Sequence, residues 1–286
     1  MTTPVYTITF GDQAENHVGM EQLGERVAEG AGFQRADLEA IYWRLTAKGH
    51  AVEWYDLYEA AFGSESNEEQ DQREFGEHSE PNDRREFGKQ SESNEQQYQR
   101  EFGTAIVLRL PAFVSEESTL FQEQRSLPMD KHAYMYGRVV NKKARWNLCF
   151  DDEAKEPAYD EGRGRVIAWD AVPALHRIHQ ALPHWFGPKA ADLKGEGNYY
   201  YDPTTCGIGF HGDTERRKVI ALRLGGSLPL YYQWYQYGQP LGPRIQIPMN
   251  GGDMYIMSEK AVGTDWKKKN TPTLRHATGA DQYTVV

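Results

Sequence analysis

Residues 207–215, GIGFHGDTE, hold His211 and Asp213 two positions apart, and His276 follows in TLRHATG. On a strand, side chains at i and i+2 project from one face, so this imidazole and carboxylate reach one ion; a histidine from a distant strand completes a facial set. Two histidines and one carboxylate leave positions on iron(II) open for a chelating co-substrate and dioxygen. With nine histidines in the chain, the same spacing is also met by a surface turn beside a hydrogen-bonded core histidine.

Ligands so spaced need strands to hold them, and the second half of the chain is patterned for strands. After GNYYYD (197–202), short runs alternate with Gly and Pro turns: GIGFHGD, KVIALRLG, LYYQWYQYG, RIQIPM, DMYIMS, TLRHATG and QYTVV. Short strands at close, even spacing predict a jelly roll or barrel. Before them, HAYMYGRVV and ARWNLCF (132–150) read as strands and VPALHRIHQALPHWF (172–186) as a helix. Further upstream VYTITFG (5–11) and TAIVLRL (104–110) are β-like, while GMEQLGERVAEG (19–30) and DLEAIYWRLTAKGH (37–50) have helical spacing and glycine stops. The expected fold class is α+β: a jelly-roll core with flanking helices over 126–286, after a small N-terminal α/β unit over 1–125.

The 286 residues carry a formal charge of −10, unevenly placed. Residues 63–103 hold 12 Asp and Glu against 5 Lys and Arg, a net of −7, so the rest is nearly neutral. The stretch is also repetitive, with Phe62, Phe75, Phe87 and Phe102 recurring every 12 to 15 residues. Such a period is too short for a helical solenoid, and one phenylalanine per polar unit buries too little to offset ordering entropy. A disordered acidic insertion is expected there, with a charged helix as the alternative. No apolar run approaches the roughly 18 residues of a membrane span, and no secretory signal is visible. Cys149 and Cys206 form neither a disulfide framework nor a zinc pattern, which fits a reducing compartment. The expectation is an intracellular protein of cytoplasm or nucleus, with no membrane partner.

The run GNYYYDPTTCGIGFHGDTE, followed by VIALRLG, RIQIPMNGGDMYIM and LRHATG, resembles the AlkB-like branch of the 2-oxoglutarate and Fe(II)-dependent dioxygenases. The likeness rests on five elements in order: an N-x-Y strand, a G-x-H-x-D-x-E turn, a strand ending in Leu-Gly, an Arg-bearing strand before Gly-Asp, and the distal histidine. It covers about 131–286, and residues 1–125 match no family pattern. The resemblance implies a double-stranded β-helix, with His211, Asp213 and His276 as Fe(II) ligands and Asn198 and Tyr200 touching 2-oxoglutarate. It also sets Glu215 over the substrate and Arg244 at a basic position before the Gly-Asp turn. Trp266 and Lys267, which open the run WKKK, are further substrate-binding candidates: an indole to stack on a base and a cation to grip a phosphate. A solvated loop is the plainer alternative.

The chemistry so implied consumes 2-oxoglutarate and O2, passes through a ferryl, and releases succinate and CO2. Its substrate is a nucleobase in methylated nucleic acid, or another methylated molecule, hydroxylated or demethylated by a monomeric enzyme. One departure stands out. The family's arginine after the distal histidine, which binds the far carboxylate of 2-oxoglutarate, is absent from HATGADQYTVV. Arg275 adjoins His276 and so faces the other side. Arg223 shares a face with Val219 and small Ala221, and is expected to replace the missing arginine, assisted by the hydroxyl of Tyr200 or Tyr283. The same departure keeps open a non-catalytic binding protein of the same fold.

Overall fold

The computed structural model describes residues 2–63 and 101–286. Most of the expected insertion therefore lies outside the described residues. Its flanks meet: the rings of Phe62 and Phe102 are 5.4 Å apart, and Phe102 packs edge-on to Trp234 at 5.2 Å. These two members of the phenylalanine repeat are partly buried against a core.

The chain opens with β1 (Val5–Gly11), the hairpin strands β2 (Gln13–Glu15) and β3 (Gln22–Gly24), and helix α1 (Arg35–Ala47). Next come β4 (Glu53–Asp56), β5 (Ile106–Leu110), α2 (Glu117–Arg125), the hairpin β6 (His132–Met135) and β7 (Arg138–Asn141), then β8 (Trp146–Asp151) and β9 (Val166–Ala168). Helix α3 (Pro173–Phe186) precedes β10 (Lys194–Tyr200), β11 (Gly207–His211), β12 (Val219–Gly225), β13 (Leu230–Gln236), β14 (Gln239–Ile247) and β15 (Met254–Met257). A short α4 (Glu259–Val262), β16 (Thr273–Gly279) and a short α5 (Asp281–Thr284) follow. The fold is mixed α+β, mostly sheet with few helices.

Eight strands form one sheet in the order β4-β5-β15-β12-β1-β10-β8-β9, and four form a second in the order β11-β16-β13-β14. Period-2 alternation assigns each face of the large sheet. Tyr6, Ile8 and Phe10 of β1, with Ile220, Leu222 and Leu224 of β12, join a core shared with Leu38 and Ile41 of α1 and Leu175 and Ile178 of α3. Val219 and Ala221, on the opposite face of β12, share a second core with Leu230, Tyr232 and Trp234 of β13 and Leu274 of β16. Helices cover one face of the large sheet, and the small sheet covers part of the other. The space between the two sheets holds the site.

Three expectations are corrected. Residues 19–30 form no helix: Gly19, Gly24 and Gly30 adopt positive φ (84°, 79° and 82°), and Gln22–Gly24 pairs with Gln13–Glu15. A Cβ at Gly24 would come within 2.4 Å of the Asp12 carbonyl, so the close approach selects glycine. The division at residue 125 separates no sheet, because β1 pairs along its length with both β10 and β12, and β4 and β5 extend the same sheet beyond β15. QYTVV is not a strand. Asp281–Thr284 is a helical turn packed on β11 and β16: Gly279, at a positive φ of 116°, ends β16 and turns the chain, and the Asp281 carbonyl accepts the Val285 amide at 2.9 Å.

Candidate metal centre and its cavity

β11 and β16 are antiparallel neighbours with His211 directly opposite His276. This register brings two residues 65 positions apart to a ring separation of 4.5 Å. β11 ends at His211, and Asp213 lies just beyond, its amide donating to the Val262 carbonyl at 3.1 Å. Gly212 makes that turn possible, because a Cβ there would fall 2.0 Å from the Gly263 carbonyl oxygen and 2.7 Å from the Trp266 ring. The result is convergence: Nε2 of His211 is 3.4 Å and Nε2 of His276 3.7 Å from Oδ1 of Asp213. Among the described residues these three form the group of His, Cys, Asp and Glu side chains able to hold a metal ion, with donor atoms within 4.8 Å of one another.

The protonation states fit a metal. His211 Nδ1 lies 2.8 Å from the Gly209 carbonyl, which can only accept, so Nδ1 carries a proton and Nε2 is the atom turned toward Asp213. Burial pushes His276 down to about 3, with His211 adding to the effect, so it is neutral at physiological pH. Burial by itself would raise Asp213, but Arg216 and the two imidazoles outweigh it and hold the carboxylate well below its usual range. Two imidazoles and a carboxylate are a donor set for a divalent first-row metal such as iron.

The triad opens on a cavity of about 250 Å³. On β10, Glu196, Asn198 and Tyr200 project together from one face; on β1 it is Thr7 and Thr9, and on β12 it is Arg223. The candidates that line the cavity are Asn198, Tyr200, Glu215, Arg223, Trp266 and Lys267, besides the triad. Asn198 Oδ1 accepts from Arg145 Nε and Asn147 Nδ2, both at 2.6 Å, and its Nδ2 donates to Glu196 at 2.9 Å. Arg223 is fully buried. Its Nη1 donates to Thr7 Oγ1, and its Nε and Nη2 have no partner among the described residues. As its alternation with His276 requires, Arg275 faces away, its guanidinium 3.8 Å from the Tyr235 ring centroid.

Two candidates lie elsewhere. Arg244 donates to the Thr284 carbonyl and stacks at 4.6 Å on Tyr231, outside the cavity lining. It sits on β14, at the far edge of the small sheet from β11. Tyr283 covers Gly207 from α5, where a Cβ on that glycine would meet its ring at 2.3 Å, and it does not line the cavity.

Sequence reading missed Glu15, Glu196, Arg216, Thr7 and Tyr255, which also line the cavity. Glu196 had a signal, since it stands two residues before Asn198 on the same strand face. Thr7 and Thr9 had one too, as the polar alternates of VYTITF. Buried Arg216 bonds to Glu196 and, at 2.8 Å, to Glu215. Burial, reinforced by Asp213, raises Glu215 to about 7. The loop carrying these residues is anchored by Asp12, whose carboxylate accepts the amides of Val27, Arg217 and Lys218 at 2.8–2.9 Å.

No family model matches the chain. It is 44% identical over 279 residues to an uncharacterized protein of Acanthamoeba polyphaga mimivirus, an alignment spanning 97% of this chain and 96% of that protein. At that identity and coverage, the chain belongs to the family of this mimiviral protein.

Proposed function

We propose that the protein is an Fe(II) and 2-oxoglutarate-dependent dioxygenase of AlkB-like type, acting on a methylated substrate. The observation that carries this reading is Arg223: a fully buried guanidinium with two unpartnered donors, lining the same cavity as a converging His-Asp-His set. A buried cation without a counter-charge is expensive, and a small carboxylate ligand relieves that cost. Anion and metal sites sharing one cavity are what a co-substrate that chelates a metal at one end and carries a second carboxylate at the other requires.

On this reading the two facing sheets form a double-stranded β-helix. Its strand beside the N-x-Y strand is supplied by β1, and Arg223 of β12, paired across to Thr7 of β1, would take the place of the arginine absent after His276. His211, Asp213 and His276 would hold the metal. Iron(II) there would supply the oxidation, coupling decarboxylation of 2-oxoglutarate to succinate and CO2 with O2-dependent hydroxylation of a nearby C–H bond; on an N-methyl group the product loses formaldehyde. The chain's own residues bind and orient. Arg223 and Thr7 take the far carboxylate, Asn198 and Tyr200 line the co-substrate's path, and buried strands exclude water from the reacting groups. Every one of these groups comes from one chain, so a monomer suffices. Two buried free thiols, Cys149 and Cys206, suit a reducing interior. Among the described residues, no helix is long and apolar enough to cross a membrane.

The test is an anaerobic titration with Fe(II) and 2-oxoglutarate, followed by the weak visible charge-transfer band of the chelate and by succinate release in air. Wild-type protein should show both. His211→Ala or Asp213→Ala should abolish them with the fold retained by circular dichroism. Undiminished succinate release by either metal-controlled variant would exclude the assignment.

A further inference from the structure

The turn that carries Asp213 is braced from outside the cavity. A Cβ on Gly212, between His211 and Asp213, would stand 2.7 Å from Cδ1 of Trp266, so the indole rests on the backbone that spaces two members of the triad. Gly263 brings the same loop onto β16: a Cβ there would meet the Leu274 carbonyl oxygen at 2.6 Å and Cα of Gly212 at 3.1 Å. Arg275 bears on this contact. It adjoins His276 on β16, and alternation sends its side chain to the outer face of the small sheet. Its guanidinium lies 3.8 Å from the ring centroid of Tyr235 on the neighbouring β13 and 5.2 Å from that of Trp266. Among the described residues the two rings make no contact of their own, so the cation joins them. No described carboxylate pairs with Arg275, and its Nε is buried without a partner; its cation is committed to two π faces, which suit a planar guanidinium better than an ammonium. Trp266 Nε1 also lacks a partner among the described residues, so no hydrogen bond fixes the indole. The other ties on this loop, from Lys260 Nζ to Asp265 and to the Pro272 carbonyl at 2.9 Å, do not touch the ring, and Lys267, 5.5 Å from it, is exposed.

We infer that Arg275 is a positioning residue for the metal centre: by seating Trp266 on Gly212 it fixes the turn that spaces His211 and Asp213, and ties that turn to the strand that carries His276. Strand pairing already sets His211 opposite His276, but Asp213 lies beyond the last residue of β11. The carboxylate is therefore the member of the triad whose place depends on the loop, through its amide on the Val262 carbonyl and through Trp266 on Gly212. The inference rests on the reading of the triad as a metal centre and needs no particular co-substrate.

The experiment titrates the full chain, labelled with fluorotryptophan, with Co(II) in the absence of 2-oxoglutarate, read by fluorine NMR and by the visible bands of bound Co(II). The Trp266 signal is the one missing from Trp266→Leu. In wild-type protein it should be the tryptophan signal most broadened when Co(II) binds; a signal left sharp overturns the inference, and that arm depends on no variant's folding. Arg275→Met, which keeps the length and removes the planar cation, should shift or split the Trp266 signal in metal-free protein and weaken Co(II) binding by about tenfold or more, the scale for a lost outer support of metal ligands, with circular dichroism unchanged. Arg275→Lys, which keeps the charge and loses the plane, should fall between the two. In a Trp266→Leu background Arg275→Met should weaken binding by less than about twofold further, because the residue acts through the indole. An unperturbed Trp266 signal or unweakened Co(II) binding in folded Arg275→Met overturns the inference, and so do penalties that add in full. Wild-type protein that takes up no Co(II) overturns it together with the metal centre, whereas Co(II) binding by a protein that releases no succinate with iron counts against the dioxygenase reading only.

Discussion

The cavity has two walls of opposite character. Arg223 stands on β12, hydrogen-bonded across to Thr7 on β1, and both strands are internal to the eight-stranded sheet. Glu15 stands on a short hairpin, and Glu215 and Arg216 lie in the loop between β11 and β12. The cationic wall is therefore built on rigid, doubly paired backbone, and the acidic wall, apart from Glu196 on β10, on backbone joined to the sheet through fewer hydrogen bonds. Positions that bind a common small co-substrate gain from rigidity, because preorganised donors lose little entropy on binding. Positions that read a particular substrate gain from a support that tolerates change without disturbing the sheet.

The contrast breaks first at Arg223. Arg223→Met should raise the 2-oxoglutarate concentration needed for half-maximal turnover by about tenfold or more, the cost of a lost buried charge-assisted pair. An unchanged requirement with saturating Fe(II) would move the anion site elsewhere. A smaller effect comes from Thr7→Val, which preserves shape and removes the acceptor for Nη1. It should raise the same requirement on the order of fivefold, the worth of about 1 kcal/mol, and an effect as large as that of Arg223→Met would show that Thr7 is needed to position the guanidinium. The smallest effect is on stability against pH in metal-free protein. His276 is held down to about 3 when folded and titrates near 6.5 when unfolded. Its contribution is thus fully present above about 6.5 and is lost as pH falls toward 3. His276→Gln should flatten that acid limb in thermal melts.

The convergence of His211, Asp213 and His276 was legible because its signal is local: two residues at i and i+2, and a third on a strand whose type the alternation of TLRHATG already gave. Arg223 was legible for the same reason, since Leu222 and Leu224 had to face the other way. The acidic wall was hidden. Met20, Leu23 and Val27 mimic helical spacing, and only the positive φ of Gly19 and Gly24 turns that stretch into a hairpin that carries Glu15 to β10. Glycine at a helix end and glycine at a hairpin turn look alike in one sequence. Arg244 and Tyr283 were misplaced through strand order: β14 is an edge strand remote from β11, and the position a terminal strand would take beside β10 is filled by β1. Pairing between distant segments leaves no periodic trace in either one.

That position of β1 also governs the order in which the molecule can be assembled. Val5 pairs with Tyr200 on one side and Gly225 on the other, so during synthesis strand 5–11 leaves the ribosome long before either neighbour exists. At about 5–20 residues per second the wait is roughly 10–40 s. Through that interval Tyr6, Ile8 and Phe10 have no sheet to join, and the large sheet closes only when β10 and β12 emerge. The large sheet is thus completed late and the face that carries His276 later still, while in shorter nascent chains an apolar strand waits unpaired.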